Sequence, residues 1–103
     1  MKIKVYQIAR EKDTRNLMFC RYDFAEKRGG VNPSEYALVF DGDVTARTLD
    51  EVFLILNCYG RFPEGYCGRS LSVSDVVVTE DGAFFCDSVG WVELFDKWKN
   101  LVA

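Results

Sequence analysis

The stretch from Val76 to Cys86 constrains this chain most. Val76-Val77-Val78-Thr79 is wholly β-branched, and such side chains are stiff and pack well on a pleated surface. Asp81-Gly82 is a turn signal, and Phe84-Phe85-Cys86 follows as a return strand. The pattern predicts an antiparallel hairpin.

Other segments add to that sheet. Lys2 to Ile8 reads as a strand, with Ile3 and Val5 alternating with Lys2 and Lys4. Tyr6 and Ile8 then move the apolar face by one residue, which predicts a bulge or burial on both sides. Leu17 to Cys20 is expected to pair back as a short strand, and Gly90 to Leu94 to extend the sheet. Leu71 and Val73 alternate with Ser70, Ser72 and Ser74. Tyr36 to Phe40 reads as a short strand or a helical turn, and Asp41-Gly42-Asp43 as a turn.

Helical signals come from three places. Tyr22 to Arg28 has helical composition, closed by Gly29-Gly30. Thr48 with Glu51 fits a capping box, and Leu49, Val52, Phe53 and Leu56 follow at helical spacing as one expected buried face. Leu54 and Ile55 widen that surface and predict cover on more than one side. Phe95 to Val102 reads as a terminal helix, with Asn57 to Gly68 irregular before the hairpin. The expected fold is α+β: a small antiparallel sheet, made of the N-terminal strand and the C-terminal hairpin, packed with two or three helices.

A chain of 103 residues suits one domain, 1–103. No apolar run approaches the roughly 18 residues that a membrane span needs. The opening residues are too short and too alternating for an export signal, so the expected location is cytoplasmic. The four cysteines show no paired metal-ligand spacing and there is no histidine. Reduced, mostly buried thiols and no metal or other cofactor are therefore expected. Without histidine, triads of the Ser-His or Cys-His kind are excluded. The carboxylate pairs Asp41/Asp43, Asp50/Glu51 and Asp81/Asp87 fall on turns or a helix start, where acids serve structure. No enzymatic activity is expected.

Two constellations remain. Gly65 to Val77 combines glycines, Arg69, three serines and Asp75. Such a segment suits either an anion cradle or a buried network that fixes the approach to the hairpin. Arg69 is expected to satisfy buried carbonyls or a carboxylate such as Asp75; the alternative leaves its head group exposed beside Tyr66. Tyr59, Arg61, Phe62 and Tyr66 lie in the irregular segment. Aromatics and arginines exposed in such a loop mark an interface. With Arg69 they form the expected partner-binding set.

Charge is uneven. Residues 1–30 carry eight Lys and Arg against four Asp and Glu, and residues 31–103 carry five against twelve. The acidic part predicts a basic protein partner, such as a nucleic-acid enzyme. The basic part supports an alternative nucleic-acid-binding reading through Lys2, Lys4, Arg10, Arg15, Arg21 and Arg28. No membrane partner is expected.

The chain resembles the YodL-like family of small bacterial domains. The resemblance is carried by Lys4-Val5-Tyr6-Gln7-Ile8, by Leu49-Asp50-Glu51-Val52-Phe53, and most specifically by Arg69-Ser70-Leu71-Ser72-Val73-Ser74-Asp75-Val76-Val77 followed by Phe85 to Trp91. It implies a setting in mobile elements of Firmicutes and carries no catalytic residues over. Trp91 stands where the family favours Phe. The expected function is that of a non-enzymatic accessory protein of a mobile element. It would act by protein binding, with a host defence nuclease (anti-CRISPR or anti-restriction) as the suggested target.

Overall fold

Val76–Thr79, the β-branched run, is the central strand of a five-stranded antiparallel sheet. The computed structural model describes residues 1–102. The strands are β1 (Lys2–Ile8), β2 (Tyr36–Asp43), β3 (Val76–Thr79), β4 (Gly82–Cys86) and β5 (Trp91–Leu94), in the order β2-β1-β3-β4-β5. All four residues of β3 are buried, as in any strand covered on both faces. Val76 and Val78 enter one core with Ile8, Phe85, Leu94 and Trp98. Val77 enters a second core with Ile3, Val5, Phe40, Val52, Leu56 and Leu71.

This two-sided burial explains the change of apolar face along β1. Ile3 and Val5 serve the second core, while Tyr6 and Ile8 serve the first. The irregularity itself falls on β2. Val5 pairs with Phe40 and Tyr6 with Leu38, which leaves Val39 as the extra residue of a bulge.

Each face is covered by one long connection, and the first also by Trp98 of the C-terminal segment. Residues 9–35 carry α1 (Tyr22–Lys27) and deliver Leu17, Ala25 and Val31 to the first core. Residues 44–75 carry α2 (Leu49–Phe53) and deliver Val52, Leu56 and Leu71 to the second. Gly30 N–H donates to the Ala25 carbonyl at 2.9 Å and closes α1 at the predicted glycines. In the hairpin, Thr79 pairs with Gly82 around a loop of Glu80 and Asp81. The glycine thus opens β4 rather than sitting inside the turn, at a φ of 155° that favours glycine.

The domain is mostly β, which corrects the α+β expectation of two or three packed helices. Tertiary partners cut the helical patterns short. Thr48 caps α2 as predicted, accepting from Glu51 N–H, and the Glu51 carboxylate accepts from Arg47 N–H. Beyond Phe53 the backbone widens into a single π turn, Leu54–Cys58. Leu71 then ends the helix: its N–H donates to the Leu56 carbonyl at 3.1 Å, and its carbonyl accepts from the Asn57 side chain at 2.6 Å. Val52 and Leu56 are fully buried, but Leu49 and Phe53 only in part, so the expected buried face is narrower than four residues.

The C-terminal helix is a tight 3-10 segment, Asp96–Leu101. Trp98 sets it, standing edge-on to both Tyr6 and Tyr36 and donating to the Val31 carbonyl at 2.9 Å. Leu17 to Cys20 forms turns, not a strand. The Asp13 carboxylate accepts from Leu17 N–H at 2.7 Å and Met18 N–H at 3.1 Å and folds the segment on itself. Asp41-Gly42-Asp43 is not a turn but continues β2, opposite Lys4, Ile3 and Lys2. Among the described residues no helix is long and apolar enough to cross a membrane. All four cysteines are free; Cys86 is buried, Cys20 half-buried, and Cys58 and Cys67 are exposed, against the expectation of mostly buried thiols.

Candidate functional site

The Gly65-to-Val77 segment is built around one buried side chain, Gln7 of β1. Gln7 Oε1 accepts from the Arg69 N–H at 2.9 Å, and Nε2 donates to the Arg69 carbonyl and to Asp75 Oδ2, both at 3.0 Å. The amide thereby repeats the two-way pairing of a strand neighbour and ties the loop to β1. Gly68 makes the approach possible: a Cβ there would lie 2.4 Å from Gln7 Oε1 and 2.9 Å from Val39. The Cys67 N–H donates to the Val39 carbonyl at 2.9 Å, so the bulge of β2 is the second anchor.

Asp75 closes the network from the other end. It is 1 % exposed, and Oδ2 also accepts from Ser72 N–H at 2.8 Å. Oδ1 is buried without a hydrogen-bond partner among the described residues. Burial pushes the Asp75 carboxyl up to about 7, against the opposing pull of the Ser72 and Gln7 hydrogen bonds and the Arg69 charge. The same burial, with Asp75 nearby, pushes Tyr66 up to about 12. Tyr66 Oη donates to the Arg69 carbonyl at 2.6 Å, and Tyr36 Oη donates to the Ser74 carbonyl at 2.7 Å. Ser74 holds a φ of 86° and its hydroxyl accepts from the N–H of Phe19, itself at a φ of 67°.

Arg69 enters this tie mainly through its backbone. Its guanidinium donates to the Ile8 carbonyl at 3.3 Å and stands 5.6 Å from the Phe19 ring, while Nε is buried without a partner. The structure thus places its head group on a buried carbonyl, with no ion pair to Asp75 among the described residues. The segment is not arranged as an anion cradle, because its amides are engaged by Gln7, Asp75 and the Leu56 carbonyl.

The other candidates point outward. Tyr59 is 60 % exposed and Phe62 45 %, with Arg61 exposed between them and its guanidinium 5.8 Å from the Tyr59 ring. Phe62 stacks on Tyr66 with centroids 4.9 Å apart, and Tyr66 leans on Phe40 at 6.0 Å. A line of rings therefore runs from the second core to the surface. The arm is fixed at its root, where Tyr59 N–H donates to the Leu54 carbonyl and Arg61 N–H to the Ile55 carbonyl. Of the five expected partner-binding residues, Tyr59, Arg61 and Phe62 share this arm. Tyr66 supports it, and Arg69 belongs to the buried tie.

Leu54 was expected under cover and is 39 % exposed beside the arm. It lies two positions from both Val52 and Leu56, on the side of the helix away from the buried face, and nothing among the described residues covers that side. Gln7 was missed as the anchor; a lone glutamine between Val5 and Ile8 in an apolar strand was the available signal.

The basic residues of the N-terminal third are used differently from one another. Arg15 pairs with Glu35 and donates to the Arg28 and Gly30 carbonyls, and Arg28 donates back to the Arg15 carbonyl while lying over Phe24. Arg21 sits 3.6 Å from Asp23. Lys2 and Lys4 stand opposite Asp43 and Asp41 across the β1–β2 ladder. Arg10 is exposed in a turn of its own. Arg15 and Arg28 are brought together, as a staple around the end of α1.

No group of three or more His, Cys, Asp or Glu side chains among the described residues is placed to hold a metal ion. The architecture is thus a small antiparallel β domain in which a buried glutamine–aspartate tie supports an exposed aromatic arm. The chain belongs to the YodL-like domain family, whose model matches residues 2–96. That span includes all five strands, the tie and the arm. No curated protein and no solved structure matches the chain.

Proposed function

We propose that this YodL-like domain is a non-enzymatic accessory protein that acts by binding another protein through the Tyr59–Phe62 arm. The observation that carries this reading is the exposure of a tyrosine, an arginine and a phenylalanine on a segment anchored to the core. These residue types dominate binding energy at interfaces, and an anchored arm loses little entropy when covered. A cytoplasmic setting and the mobile element implied by the resemblance belong to the same reading. A basic nuclease as target has only the acidic balance of residues 31–103 behind it, and the free cations beside the arm do not share that sign. The nucleic-acid alternative is disfavoured by the engagement of Arg15, Arg28 and Arg21 in contacts within the chain.

A photo-crosslinking side chain in place of Tyr59, used in the native host, tests the proposal. A single protein adduct is expected that is absent when the crosslinker replaces Lys99. Adducts with nucleic acid alone, or equal labelling from both positions, overturn it.

A further inference from the structure

The arm borders a cleft of about 750 Å³ between the Val44–Arg47 segment and the π turn. Val44, Ala46, Leu54, Ile55 and Tyr59 make its apolar lining. Leu54 and Tyr59 are exposed there rather than packed against another part of the domain. The Ala46 N–H donates to the Val44 carbonyl at 3.0 Å, which fixes one wall as a tight turn. The other wall is fixed by the Tyr59 N–H on the Leu54 carbonyl and by the Leu71 contacts with Leu56 and Asn57.

The charge at this cleft runs against that of the chain. The protein carries a net −3, yet the charged side chains at and beside the cleft are two arginines against one acid. Arg47 lines it, and Arg61 lies over Tyr59 at its end. The one acid in the lining, Glu51, keeps its charge but turns its carboxylate to the Arg47 N–H at the start of α2, so the two arginines outnumber it. An apolar floor with arginines at the rim complements a segment whose apolar side chains are flanked by carboxylates. Arginine binds a carboxylate with two parallel hydrogen bonds, which adds direction to attraction.

We infer that this cleft receives a short amphipathic segment of the partner protein, apolar on one side and acidic at its margins. The inference rests on the protein-binding reading and names the chemistry of the partner. Apolar side chains of the segment cover Leu54 and Tyr59, and its carboxylates meet Arg47 and Arg61.

The test uses the full chain, isotopically labelled, and two short synthetic amphipathic peptides with identical leucine positions. One carries glutamate at every polar position and the other lysine. The glutamate peptide is expected to shift the amide resonances of Val44–Arg47 and Leu54–Arg61. The lysine peptide is expected to bind about tenfold more weakly or worse, a difference that salt reduces. Charge reversal by Arg47→Glu with Arg61→Glu should invert the preference, and Leu54→Asp, at an exposed position, should abolish both. Equal or tighter binding of the lysine peptide at the same amides overturns the acidic partner while leaving the protein-binding reading intact. No shift with either peptide overturns the cleft as a docking site. The Tyr59 crosslink then decides the protein-binding reading separately.

Discussion

Two parts of the same connection between β2 and β3 behave in opposite ways. Residues 66–75 turn polar groups inward onto Gln7, while Leu54, Tyr59 and Phe62 turn apolar and aromatic groups outward. A buried polar group is costly unless bonded, so the first part is committed to holding the domain together. Leu54, Tyr59 and Phe62 contribute little to that, since their side chains remain largely in water, while Leu56 between them fills the second core. The richer sequence motif is therefore the structural one, and the plainer segment is the surface available to a partner.

Asp75 offers the largest test of this contrast. Its carboxyl is raised from 3.8 to about 7 in the folded chain. Below about pH 4 both states hold the proton and the cost of a buried charge is absent. Between there and about 7 the unfolded chain releases the proton and the folded chain keeps it, so stability falls as pH rises. A shift of that size corresponds to about 4 kcal/mol. Urea midpoints measured between about pH 5 and about pH 8 should decline with pH in the wild type and decline less in Asp75→Asn. Parallel slopes in the two proteins would remove Asp75 from the account.

Gln7→Leu should come next, at about 3 kcal/mol, because it strands the buried Arg69 N–H and takes one of two donors from both the Arg69 carbonyl, which keeps Tyr66, and Asp75 Oδ2, which keeps Ser72. A loss under about 1 kcal/mol in chemical denaturation would show that the tie is not structural. Arg69→Ala should cost less, about 1–2 kcal/mol, since the backbone of Arg69 makes the main bonds and its guanidinium donates one hydrogen bond. A larger loss would mean that its head group, and not its peptide unit, anchors the loop. Tyr59→Ala should change stability by less than about 0.5 kcal/mol, as exposed positions do, while weakening binding of the glutamate peptide. Equal loss of stability and binding would erase the distinction between the two parts.

Several local features were legible before any coordinates. The hairpin, the strand at Lys2–Ile8, the cap at Thr48, the glycines after α1 and the added strand at Trp91–Leu94 depend on near neighbours in the chain. The helix lengths were not legible in the same way. Leu49 to Leu56 has helical spacing, yet the helix widens into a π turn after Phe53 and stops where Leu71 captures the Leu56 carbonyl. Asp41-Gly42-Asp43 has the composition of a turn, yet it stays extended because β1 lies beside it.

The same division holds for the candidate site. Residue type alone singled out Tyr59, Arg61 and Phe62, because an irregular segment offers them no regular face to bury. Residue type could not separate Tyr66 and Arg69 from them. Their difference comes from Gln7, which lies 62 positions from Arg69 in the chain and bonds it at 2.9 Å. Composition and short-range patterning determined the hairpin, the strands at Lys2–Ile8 and Trp91–Leu94 and where one helix starts. Only the tertiary structure decided which side chains face water. Burial and hydrogen-bond satisfaction depend on partners brought together by the sheet, and a linear pattern records nothing about such distant contacts.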